Sequence, residues 1–90
     1  MKQEYRKASA EALGHKDISE PQATAIIVLI DGVIYEWQPD KDANQMLMVL
    51  DWMRDNDIKI MDIWAEWYYH NADIKLATMK AFMSYIKQQP

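Results

Sequence analysis

Apolar positions in the second half of the chain recur at helical spacing. Met46, Val49, Leu50 and Met53 fall on one face, with Leu47 alongside, and Met48 and Trp52 make a second ridge one turn apart. Leu76, Met79, Phe82, Met83 and Ile86 repeat the pattern near the C-terminus. Between them lies "DIWAEWYYHN", residues 62–71, whose Ile, Trp and Tyr content favours a strand. As a strand it would set Asp62 and Glu66 between apolar neighbours on one face. As a helix its polar positions Lys59, Asp62, Glu66, His70 and Asp73 form one solvent stripe, with Ile60, Ile63, Trp64 and Trp67 opposite. Periodicity outweighs propensity, and the stretch is predicted helical. The stripe continues through Lys80, Ser84 and Lys87, so residues 58–88 read as one long helix or as two broken near Asn71. Asp40 or Asp42 can cap the helix that begins near Ala43, and "RDND" at 54–57 marks its end, with Asp57 suited to the next cap.

The first half is patterned differently. Residues 2–13 carry a thin apolar side of Tyr5, Ala8, Ala12 and Leu13 and stop at Gly14, which predicts a short helix. Residues 14–22 read as a connector holding a solvated His15. "AIIVLI" and "VIYEW" then flank Asp31-Gly32, a pair favoured where both central turn residues need positive φ. A hairpin over about 24–38 follows, pairing Ile30 with Val33, Val28 with Tyr35 and Ile26 with Trp37, and ended by Pro39. Both faces of its first strand are apolar, as in a strand covered on two sides. Its free edges need helices over them, or a second copy paired edge to edge into a four-stranded sheet. Residues 25–53 also resemble the C-terminal dimerisation helices of TetR-type repressors, which would imply an all-α fold. A mid-helix Gly32 costs about 1 kcal/mol, and β-branched residues dominate, so the hairpin is preferred. The expected fold is α+β: an N-terminal helix, one hairpin and two to three amphipathic C-terminal helices in a single small domain spanning 1–90.

Charge sharpens the picture. The formal net charge is −4, but residues 31–73 hold ten acids against Lys41, Arg54 and Lys59. Phosphate contacts need clustered Lys and Arg, so direct nucleic-acid binding is not expected. "AIIVLI" is too short to cross a bilayer and the N-terminal segment lacks a signal-peptide apolar region, which points to a cytoplasmic protein. If a phage encodes the chain, that cytoplasm is the host's.

Candidate chemistry is sparse. "DIWAEW" resembles the strand-to-helix corner that leads into the redox cysteines of thioredoxins. Here Tyr68 follows the second tryptophan and the chain has no cysteine, which excludes thiol redox chemistry and thiolate metal sites. Asp62, Glu66 and His70 share one helix face, as metal ligands or an acid–base pair could, yet the same positions are the solvent stripe any amphipathic helix needs. No glycine-rich phosphate loop or nucleophile setting is present, and neither an enzyme nor a cofactor or metal is expected.

The aromatic content is more informative. Four tryptophans, five tyrosines and six methionines beyond Met1 exceed what one small core buries, and such residues also favour adaptable binding surfaces. The expected function is a small non-catalytic protein-binding module, an inhibitor or regulator that docks on a basic, often nucleic-acid-handling, partner protein. Its contact residues are expected among Asp51, Trp52, Asp55, Asp62, Glu66, Trp67, Tyr68, Tyr69, His70 and Asp73. In size and composition it resembles the inhibitors that phages direct against host defence systems. The alternative is a structural or assembly subunit that uses the aromatic surface and the hairpin edge for homo- or hetero-dimerisation.

Overall fold

A computed structural model describes residues 2–88. The fold is α+β, with an N-terminal helix α1 (Lys2–Ala12), strands β1 (Lys16–Asp17), β2 (Ile27–Ile30) and β3 (Val33–Glu36), and helices α2 (Ala43–Asn56), α3 (Ile60–Asn71) and α4 (Ile74–Lys87). Its contacts gather into two compact units, one ending at Gln38 and one beginning at Pro39. Among the described residues, no helix is long and apolar enough to cross a membrane.

In the first unit, α1 ends as a glycine-stopped helix should. Gly14 takes φ +74, and the His15 amide reaches back to the Ala10 carbonyl at 2.9 Å, satisfying an otherwise orphaned acceptor. The three strands form an antiparallel sheet in the order β1-β2-β3. Asp31 and Gly32 both have positive φ, at 51° and 79°, which gives the hairpin a turn matched to strand twist. The register is Ile30 to Val33, Leu29 to Ile34, Val28 to Tyr35 and Ile27 to Glu36, and the Trp37 amide continues the ladder to the Ile26 carbonyl at 2.7 Å. The all-helical alternative is therefore excluded.

Three expectations for this unit need correction. The hairpin has a third strand, because Lys16 and Asp17 of the supposed connector pair with Leu29 and Val28. The strand β2 is covered on one side only: Ile26 and Val28 are buried, while Leu29 on the other face is 38% exposed. His15 is not a solvated loop residue, since its ring packs edge-on against Trp37 at 4.8 Å. The core here comprises Tyr5, Ala10, Ile26, Val28 and Trp37. The Trp37 indole N–H donates to Ser9 Oγ at 2.9 Å, and Ser9 donates in turn to the Tyr5 carbonyl at 2.7 Å.

The second unit is three helices separated by two polar breaks of similar design. The Asp42 carboxylate accepts from the Gln45 amide at 3.0 Å and starts α2. At its end, Asn56 Nδ2 donates to the Trp52 carbonyl at 2.8 Å, and the Asp57 carboxylate accepts from the Lys59 amide. The expected Asp57 cap is not made, because a turn at Ile58 and Lys59 intervenes and α3 starts after Lys59 without a side-chain cap; the α3–α4 break repeats the asparagine and adds a true cap. Asn71 Nδ2 donates to the Trp67 carbonyl at 2.8 Å, Ala72 turns left-handed at φ 52, and Asp73 caps α4 by accepting from the Lys75 and Leu76 amides. Residues 58–88 are thus two helices. Met46, Val49, Met53, Ile60, Ala77, Met79, Ala81, Phe82 and Met83 are buried between them. Leu47 lies outside this core at 48% exposure, and Lys80 and Ser84 are half-buried rather than part of an open stripe.

Candidate protein-binding surface

The helix α3 is apolar in sequence yet poorly covered. Ile60 is its only buried residue among the twelve. It leans chiefly on α4, through Trp64, whose indole N–H donates to Thr78 Oγ1 at 2.9 Å. Thr78, itself buried, donates to the Ile74 carbonyl one turn back at 2.7 Å. Trp67 is half-buried, with the Lys80 ammonium 5.7 Å from its ring centre, a weak cation–π contact.

Tyr68 and Tyr69, whose orientation the periodicity leaves open, both face solvent. Tyr68 stacks on Trp64 with ring centres 5.5 Å apart and planes 3° from parallel, and is 44% exposed. Tyr69 is 84% exposed and meets the edge of His70, with ring centres 5.4 Å apart. Asp62, Glu66 and His70 are exposed along the neighbouring stripe, as the spacing predicts. Glu66, Trp67, His70 and Asn71 line a shallow open cleft on this helix. The result is a carboxylate row beside a rigid aromatic ridge.

The remaining candidates separate from this group. Asp51 and Asp55 lie on α2 and flank Arg54, at 3.0 Å and 4.0 Å, which partly offsets their charge. Trp52 is half-buried against Phe82 at 5.6 Å and Tyr85 at 5.9 Å, so it is chiefly a packing residue. Asp73 is exposed, but its carboxylate serves as the α4 cap. Two exposed apolar residues near α3 were not singled out from the sequence. Ile58, 72% exposed, sits in the turn before it, and Ile74, 41% exposed, opens α4. A run of regular helical spacing gives no sign of either.

No three His, Asp or Glu side chains among the described residues converge to hold a metal ion. Two titratable groups with displaced pKa values, His15 and Asp17, lie in the first unit. Burial lowers that of His15, against an opposing pull from Asp31. Hydrogen bonds from the Ser19 hydroxyl and amide lower that of Asp17 at the exposed end of β1. Neither belongs to the α3 surface. Comparisons with protein-family models, curated proteins and solved structures return no match to this chain.

Proposed function

We propose that the protein is a non-catalytic binding module that docks α3 on a basic patch of another protein, in the manner of an inhibitor or regulator. One observation carries this reading: a helix with two tryptophans and two tyrosines keeps only Ile60 buried, and Tyr69 stands 84% exposed beside Asp62, Glu66 and His70. Large aromatic side chains lose little freedom on contact and supply much of the energy of protein interfaces. The adjacent carboxylates select a positively charged partner and speed encounter with it. Trp64 and its bond to Thr78 hold the ridge rigid, so little ordering cost falls on binding.

The test is an affinity capture from cells of the natural source, with the native chain and with an Asp62→Lys, Glu66→Lys double variant. The native chain should retain a partner that elutes as salt is raised, and the variant should lose it. A partner retained equally by both would refute the assignment of this face.

A further inference from the structure

The two edges of the sheet are built differently. The edge strand β1 has two residues, Lys16 and Asp17, both charged and both exposed. Short length and charge are how natural sheets keep an edge from pairing with another chain. The opposite edge, β3, is less protected: it has four residues and a single charge, Glu36 at its end. Its residues Val33, Ile34, Tyr35 and Glu36 are all exposed, Ile34 at 64%, Val33 at 49% and Tyr35 at 44%, and it contains no lysine and no proline.

The hydrogen-bond alternation decides what that edge offers. In a two-residue hairpin the closing pair, Ile30 and Val33, is hydrogen-bonded, and so is every second pair beyond it. The Trp37-to-Ile26 bond keeps this phase, and the Ile27 carbonyl turns the other way to accept from Ile18 beside β1. The Ile34 main-chain N–H and C=O therefore point away from β2, on the side where, among the described residues, the sheet has no further strand.

We infer that the protein forms a two-fold dimer by antiparallel pairing of β3 with β3 of a second copy, centred on Ile34, making one six-stranded sheet. An antiparallel pair is self-complementary about a two-fold axis, so a second copy fits without any further matching of sequence. Centring on Ile34 lets the two Ile34 residues exchange both main-chain hydrogen bonds. On one face it lines up Leu29, Ile34 and their two counterparts as a continuous apolar row. On the other it sets Val33 beside the second copy's Tyr35, a β-branched–aromatic pair of the stabilising kind. The one acid of the strand, Glu36, then lies two residues from the axis, so the two copies of it are about 13 Å apart at strand rise and largely screened from each other. Pairing centred on Tyr35 would bring them nearer. The charged β1 edge stops further growth, and the assembly closes as a dimer rather than a filament. This inference is independent of the α3 docking surface.

Sedimentation equilibrium of the native chain over a dilution series from millimolar to micromolar should show a monomer–dimer equilibrium. Ile34→Lys, which sets two like charges on the axis, should leave only monomer, whereas Tyr69→Lys should leave the dimer intact. Because the chain has no cysteine, Ile34→Cys supplies a second readout. Main-chain spacing in a hydrogen-bonded antiparallel pair, about 5.5 Å between Cα atoms, brings the two thiols close but leaves their Cβ atoms too far apart for an unstrained disulfide, so a short bis-maleimide should trap a covalent dimer. A native chain that stays monomeric throughout overturns the inference. So does a dimer abolished by Tyr69→Lys but not by Ile34→Lys, and so does Ile34→Cys that fails to cross-link.

Discussion

Trp37 and Trp64 are tethered in the same way in two different settings. Each gives its indole N–H to a helical hydroxyl at 2.9 Å, Ser9 for one and Thr78 for the other, and each hydroxyl bonds back to the carbonyl four residues earlier. Trp37 is completely buried, and its tether closes a core over Tyr5 and Val28. Trp64 is half-buried, and its outer side carries the exposed Tyr68 ring. An identical local device thus finishes a core in one unit and holds up a surface in the other. What differs is the covering beyond the tryptophan, and that sets how each should respond to mutation.

The largest effect should come from Trp37→Ala. Emptying a buried tryptophan site costs about 3–5 kcal/mol, enough to unfold a marginally stable unit of this size, and urea titration followed by circular dichroism would register it. Ser9→Ala should cost about 1–3 kcal/mol, because it strands a buried indole N–H without an acceptor. Thr78→Val keeps the side-chain shape and removes the same type of acceptor, but Trp64 is open enough for water to replace it. Its cost should stay below about 1 kcal/mol. Equal costs for the two hydroxyls would dissolve the comparison and show Trp64 to be as dry as Trp37.

Acidification should also fall unevenly on the two settings. His15 packs against Trp37, and its Nε2 is inaccessible and has no hydrogen-bond partner. Burial lowers its pKa from 6.5, so the folded chain binds this proton less readily than the unfolded one. The stability it contributes is complete above the unfolded value and is lost as pH falls below it through the lowered one. The chemical-denaturation midpoint should therefore drop between neutral and mildly acidic pH, and His15→Phe should flatten that part of the profile.

These contrasts were only partly legible in the sequence. The helical stripe through Asp62, Glu66 and His70 and the Asp31-Gly32 turn follow from local chemistry, and the structure has both; it also selects Asp42 over Asp40 as the cap and two helices over one near Asn71, choices that local chemistry leaves open. Strand β1 was illegible because Lys16 and Asp17 carry no strand propensity, and only their pairing with Leu29 and Val28 makes them a strand. His15 was misjudged for a related reason: its place against Trp37 depends on a hairpin that begins far along the chain. Periodicity told which way Ile63, Trp64 and Trp67 turn, but not how much would cover them. The pattern of a helix gives a direction, and the neighbouring elements give the depth. The exposure of Tyr68 and Tyr69 therefore had to come from the packing of α3, as did half of the candidate surface.

The smallest change in stability should accompany the most informative change in binding. Tyr69 is 84% exposed beside the His70 ring, so Tyr69→Ser should shift stability by no more than about 0.5 kcal/mol. Interface aromatics often cost 2 kcal/mol or more, roughly a thirtyfold loss of affinity, when truncated. If α3 is the docking helix, Tyr69→Ser should weaken partner capture by about that factor while the melting curve stays in place. Thr78→Val should weaken it less and only through a looser Trp64–Tyr68 stack. Stability and binding would then respond to different residues of one helix, as expected when its inner side is an anchor and its outer side a contact. A Tyr69 variant that lowers the melting temperature yet keeps its partner would reverse that division and make Tyr69 a packing residue after all.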